Sequence, residues 1–215
     1  MNPEFWHKRW QKNEIGFHEK EGSALLKKYF HHLDMPENSK VFVPLCGKTR
    51  DIAWLLSHGI EVVAIELNQQ AVEQLFVELG VTPDVSDQVD PESNLICYQA
   101  PYISVFVGDF FALTQTHLGQ VNAVYDRAAL VALPSDLRRE YSQHLLKITA
   151  NCQQLLICYD YAENLLNGPP FSVNEKEVLA HYQCPFSIKQ LYYARIDGGF
   201  RGQEAVFEAV YLLAT

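Results

Sequence analysis

The sequence predicts an α/β fold, with a mostly parallel, doubly wound sheet of about seven strands in one domain spanning residues 1–215. Three observations carry that expectation. From residue 41 onward, short β-branched or aromatic runs alternate with helical apolar patterns. Glu61-Val-Val-Ala-Ile-Glu66 contains a nearly unbroken apolar run, as expected of a strand covered on both faces. The runs end in turns where Gly, Pro or Asp accumulate, which is where an open α/β sheet holds its ligand.

In chain order, Asn2 is a possible N-cap, with Pro3 at the first helical position and Glu4 in the first turn. Trp6 and Trp10, four residues apart, share one face of that helix. A helix this short must dock to be ordered. A loop over Asn13–His18 leads to a second helix from about Ser23, with Leu25, Leu26, Tyr29, Phe30 and Leu33 as its apolar stripe. Residues 1–35 therefore read as a helical lid set before the first strand.

The core begins with Val41–Val43, the turn Pro44-Leu-Cys-Gly47 and a helix ending near Gly59. After the strand over 61–66, Asn68 caps a helix with Ala71, Val72, Leu75, Phe76 and Leu79 on its buried face, and Gly80 stops it. The polar stretch 81–94 reads as a surface loop. Strands are expected at Leu95–Gln99, Ile103–Val107, Val121–Tyr125 and Leu155–Tyr159, with a long helix from Ser135 before the last of these. A Gly168-Pro-Pro-Phe171 loop and a short helix at Glu175–His181 follow. The last two strands, near Phe186–Ala194 and Ala205–Leu213, pair as an antiparallel hairpin across Asp197–Gly202.

A net charge of −9 with no Lys/Arg-rich run argues against nucleic acid, whose binding depends on a basic surface releasing counterions. No apolar run approaches the roughly 20 residues of a membrane span, and the N-terminus lacks a signal pattern. The expectation is a cytoplasmic monomer with a small-molecule partner and no membrane association. Five scattered cysteines without a C-x-x-C pair suggest free thiols, and neither they nor the eight histidines show metal-ligand spacing, so no metal is expected.

Residues just after the strands are the site candidates. Glu66, ending the second strand about 20 residues after the first turn, is placed to accept the hydroxyl hydrogens of a ribose. Its alternative is a solvent-facing acid near a helix N-terminus. The first turn has one glycine, Gly47, where a dinucleotide fingerprint has G-x-G-x-x-G. That favours a cofactor without phosphate, S-adenosylmethionine, over NAD(P). Asp109-Phe110 reads as an adenine contact or as a plain turn. Asp126-Arg127 stands next to the reacting centre or forms a structural ion pair. Trp6, Trp10 and Phe17 supply a lid over an apolar pocket or pack into the core.

Taken together, Trp6 and Trp10 with Gly16-Phe-His18, Glu21-Gly-Ser, Val41-Phe-Val-Pro-Leu-Cys-Gly-Lys48, Val63-Ala-Ile-Glu66, Tyr125-Asp-Arg-Ala-Ala-Leu-Val-Ala132, Gly168-Pro-Pro-Phe171 and Val206-Phe-Glu resemble the thiopurine S-methyltransferase family. The resemblance covers nearly the whole chain. It implies a class I S-adenosylmethionine-dependent methyltransferase of Rossmann-like fold that methylates sulfur in aromatic and heterocyclic thiols. Bacterial members resemble enzymes that also methylate selenium or tellurium compounds, so metalloid detoxification is the alternative role.

Carried onto this chain, the resemblance implies cofactor contact from Trp10, Leu45, Glu66, Asp109 with Phe110, and Arg127, and puts Phe17 over the acceptor. Gly47 shapes the same loop. The family's C-terminal basic residue falls where Asp197-Gly-Gly breaks the register, leaving Arg195 or Arg201 as candidates. Direct in-line transfer to a thiolate follows, with Arg127 holding the thiolate or a water and Asp126 orienting Arg127. An NAD(P)-dependent reductase and a cofactor-binding regulator without catalysis are the competing readings.

Overall fold

The computed structural model describes residues 3–16, 18–87, 93–162 and 164–214. The proposed cap Asn2 and the proposed acceptor contact Phe17 lie outside the described residues. Among the described residues nine strands form one sheet: β1 (Lys40–Val43), β2 (Glu61–Glu66), β3 (Asp84–Ser86), β4 (Ile96–Ala100), β5 (Ile103–Val107), β6 (Ala123–Arg127), β7 (Gln153–Asp160), β8 (Ser187–Arg195) and β9 (Phe207–Ala214). Their order is β3-β4-β5-β2-β1-β6-β7-β9-β8. The central five, β5-β2-β1-β6-β7, are parallel.

Among the described residues seven α-helices flank the sheet: α1 (Pro3–Gln11), α2 (Ala24–Tyr29), α3 (Asp51–Ser57), α4 (Gln69–Leu79), α5 (Gln115–Leu118), α6 (Ser135–Ile148) and α7 (Glu175–Tyr182). The expected antiparallel C-terminal hairpin is present, with β9 inserted between β7 and the edge strand β8.

The sheet exceeds the expected seven strands partly because β3 falls within the stretch read as a loop. Its three residues are all exposed, so no apolar alternation marks them, and antiparallel pairing with β4 alone makes them a strand. The strand expected at Val121–Tyr125 begins two residues later, which puts Asp126 and Arg127 inside β6 rather than after it.

Alternation along β2 builds the two apolar layers. Val62 and Ala64 face Ile52, Leu55, Val72 and Leu75 on one side, with Leu26 of α2. Val63 and Ile65 face the other side, which holds Tyr141 and Leu145 of α6 and Val178 of α7. Each fully buried aliphatic or aromatic side chain contributes about 1.5–3 kcal/mol.

Local chemistry ends the elements as expected: Asn68 Oδ1 accepts from Ala71 N at 3.2 Å, and Gly80 closes α4 at φ 71°. Ser23 Oγ accepts from Leu26 N at 3.3 Å to start α2. Among the described residues no helix is long and apolar enough to cross a membrane.

Candidate active site

The first loop is shaped before any ligand is considered. Leu45 and Gly47 both hold positive φ, 45° and 54°. That conformation costs a leucine and suits a glycine, so the surrounding structure must enforce it. It does so with hydrogen bonds to β2: Cys46 N donates to Ile65 O at 2.9 Å, and Gly47 N donates to Glu66 Oε2 at 2.9 Å. Asn68 N donates to the other Glu66 oxygen at 2.8 Å. Burial raises the Glu66 pKa, and the N–H groups of Asn68, Gly47 and Leu67 oppose that rise. The result is a fixed, buried carboxylate whose oxygens each keep acceptor capacity.

Glu66 opens into a cavity of about 290 Å³ at the carboxyl ends of β1, β2, β6 and β7. Its walls include Trp6, Trp10, Leu45, Gly47, Arg127, Tyr159, Phe200 and Arg201. Trp10 is 3% exposed. The docking of α1 beside the second strand is fixed in part by a 3.0 Å hydrogen bond between Asn68 Nδ2 and His7 Nδ1.

Asp51 ties the N-terminal segment to the sheet. Its Oδ1 accepts from Ser23 N at 2.6 Å and its Oδ2 from the Tyr125 hydroxyl at 2.9 Å. Gly22, at φ 70°, lets the chain approach: a Cβ there would lie 2.9 Å from Asp51 Oδ1.

Arg127, at the end of β6, has a side chain only 10% exposed and forms an ion pair with Glu19. Burial works against its charge, but Tyr125, Tyr159, Glu19 and Asp51 outweigh that and raise its pKa. The cation is therefore permanent, and one of its partners lies on the N-terminal segment.

Four expected site residues lie away from this cavity. Asp126 does not orient Arg127, because neighbours in a strand face opposite sides of the sheet. Its carboxylate accepts from Tyr141 Oη at 2.7 Å and Leu130 N at 3.1 Å, on the α6 side. Asp109 and Phe110 do not line the cavity: Asp109 accepts from Phe111 N at 3.0 Å, and the Phe110 ring packs 4.7 Å from that of Tyr141. Arg195 is exposed and meets Glu204 at 3.7 Å, whereas Arg201 does reach the cavity wall, beside Phe200.

A profile described as Thiopurine S-methyltransferase (TPMT) matches residues 1–215. A thiopurine S-methyltransferase of Xanthobacter autotrophicus is 48% identical over 214 residues, covering 99% of each chain. The chain belongs to the thiopurine S-methyltransferase family. Another such enzyme, from Acinetobacter baylyi, is 48% identical over 197 residues, covering 92% of this chain and 91% of its own.

Solved methyltransferase structures share the fold of this thiopurine S-methyltransferase family member. Burkholderia thailandensis 1,6-didemethyltoxoflavin-N1-methyltransferase, solved with 1,6-didemethyltoxoflavin and S-adenosylhomocysteine, superposes with a TM-score of 0.63 at 13% identity, covering 98% of this chain and 85% of that one. An S-adenosylmethionine-dependent methyltransferase of Anabaena variabilis gives 0.62 at 12% identity, covering 97% and 93%.

Sequence reading missed Glu19, Asp51, Tyr125, Tyr159 and Glu208, all of which line the cavity. A signal existed for Glu208, the one charged residue inside the apolar run Phe207–Ala214. None existed for Glu19, whose partner is 108 residues away.

Proposed function

We propose that this chain catalyses methyl transfer from S-adenosylmethionine to the sulfur of aromatic or heterocyclic thiols, with Glu66 holding the cofactor and Arg127 facing the acceptor. The observation that carries this reading is the meeting, in one cavity, of a backbone-anchored carboxylate at the end of β2 and a buried arginine at the end of β6. S-adenosylmethionine, when bound, supplies a methyl group activated by its sulfonium charge.

The donor set fits that cofactor. Glu66 accepts hydroxyl hydrogens, and the Leu45–Gly47 backbone forms a cradle with no run of glycines for a pyrophosphate. The same feature disfavours a nicotinamide dinucleotide. Trp10 belongs to the cofactor side and Arg201 to the acceptor side of this reading, with residues 1–35 as the covering lid.

Arg127 holds the acceptor sulfur as a thiolate through charge. Apolar walls from Trp6, Trp10, Leu45 and Phe200 exclude water, which favours two opposite charges that neutralise each other on reaction. Positioning alone contributes up to roughly 7–11 kcal/mol. Burial raises the pKa of the Cys46 thiol well above the usual range, so Cys46 is not a methyl-carrying nucleophile. The net charge of −9 and five free cysteines support a cytoplasmic protein acting on small molecules rather than on nucleic acid.

The test is incubation with methyl-labelled S-adenosylmethionine and a panel of aromatic thiols, heterocyclic thiols, selenite and tellurite. Labelled thioethers are expected. Label in metalloid products alone would overturn the thiol assignment.

A further inference from the structure

Tyr159 and Glu208 stand directly opposite each other across the β7–β9 ladder. Opposed residues project to the same face of a sheet. Arg127 shares that face, because it pairs with Ile157, two residues before Tyr159. All three line the cavity.

The Tyr159 hydroxyl is coupled electrostatically both to the Arg127 guanidinium and to the Glu208 carboxylate. A guanidinium only donates and a carboxylate only accepts, so a hydroxyl set between them is oriented to accept from Arg127 and donate to Glu208. Phe200 stacks on the Tyr159 ring at 5.2 Å and 25°, fixing its direction. Glu208 faces Tyr159 from β7, Arg127 from β6 and Glu19 from the N-terminal segment. Burial and then Glu19 raise its pKa, while Arg127 and the Tyr159 hydroxyl oppose the rise. A carboxylate raised in this way is a better proton acceptor at neutral pH than an ordinary glutamate.

We propose that Tyr159 and Glu208 form a proton relay that ionises the acceptor thiol. The inference rests on the thiol-methylation reading above. The thiol S–H bond breaks as its proton passes to the Tyr159 oxygen, while the Tyr159 O–H proton passes to a Glu208 oxygen. The sulfur electron pair then forms the new S–CH₃ bond, and the pair of the broken methyl–sulfonium bond stays on the sulfonium sulfur. One proton per turnover leaves Glu208 for solvent.

Two variants, Glu208→Gln and Tyr159→Phe, test the relay against two aromatic thiols, one largely neutral at the assay pH and one nitro-substituted and already ionised. Both variants are expected to lower kcat/KM for the neutral thiol by about 10²–10⁴-fold, the usual contribution of general acid–base groups. The ionised thiol should lose far less, and the acid limb of the kcat/KM pH profile should vanish in Glu208→Gln. Equal losses with both thiols, or none with either, would overturn the proposal. If Glu208→Gln does not fold, Tyr159→Phe, which removes only a hydroxyl, decides alone.

A second readout needs no turnover. With S-adenosylhomocysteine bound, the absorbance of the neutral thiol is titrated on the protein; the thiolate band should appear at lower pH in the wild type than in Tyr159→Phe, which removes a hydroxyl donor and no charge. Identical titrations would overturn the relay. A wild type that methylates neither thiol overturns the functional reading instead, and the absorbance titration then decides the relay by itself.

Discussion

Arg127 at the end of β6 is paired with Glu19, which lies outside the sheet and 108 residues earlier in the chain. The pair links the N-terminal segment to the strand end that lines the cavity. Because the Glu19 side chain is 42% exposed, solvent screens the pair, and its contribution to stability is about 0.2–1 kcal/mol. Glu19→Gln is therefore expected to lower Tm by no more than about 4 °C while speeding amide exchange across residues 3–16. Unchanged exchange in that segment would show that the pair is not its tether.

Glu66 has a different weight, because it is both buried and bonded to two loop N–H groups. Hydrogen bonds to a charged group are worth about 1.5–3 kcal/mol, so Glu66→Gln is expected to weaken S-adenosylmethionine binding roughly 10- to 100-fold. Calorimetric titration measures this. An unchanged Kd would remove Glu66 from the cofactor site.

Tyr125→Phe removes the donor to Asp51 Oδ2 and leaves a buried carboxylate with one partner fewer. The expected cost is about 1.5–3 kcal/mol, or roughly 3–12 °C in Tm. Thermal unfolding followed by circular dichroism checks it, and a shift under about 1 °C contradicts the assigned role.

Burial raises the Asp126 pKa from 3.8 to about 6, against the hydrogen bonds from Tyr141, Leu130 and Ala129. The folded state thus binds this proton more tightly than the unfolded chain. The associated stability is fully present below about pH 4 and is lost as pH rises through about 6. About two units correspond to roughly 3 kcal/mol. In Asp126→Asn, unfolding free energies measured in urea at pH 4 and pH 7 should show a gain for the variant over wild type of up to that size on going to pH 7. A constant difference between the two proteins would refute the assignment.

Cys46→Ala is expected to retain methyl transfer, since the thiol is buried and its ionisation suppressed. Loss of transfer with cofactor binding intact would require a covalent intermediate on Cys46.

What the sequence disclosed depended on whether the chemistry was local. Glu66, Gly47 and the Asn68 cap were legible because a strand end, a turn and a helix start are each written in a few adjacent residues. Asp126 and Arg127 were legible as a pair of interest, yet their division between the two faces depends on where β6 starts, which the apolar run misplaced by two residues. Asp109 signalled a strand-end turn correctly, but its carboxylate is used for capping. Tyr159 and Glu208 meet only through the register of β7 with β9, so neither residue's own neighbourhood announces a site.

The central claim is methyl transfer to sulfur from a cofactor held by Glu66. It is tested most directly by mixing the protein with one equivalent of S-adenosylmethionine carrying a trideuterated methyl group and an excess of an aromatic thiol, then analysing the products by mass spectrometry. The expected result is an aryl methyl thioether carrying the intact CD₃ group, formed in equal amount with S-adenosylhomocysteine and strongly reduced in Glu66→Gln. Bound S-adenosylmethionine recovered unchanged, with no labelled thioether, would contradict the account.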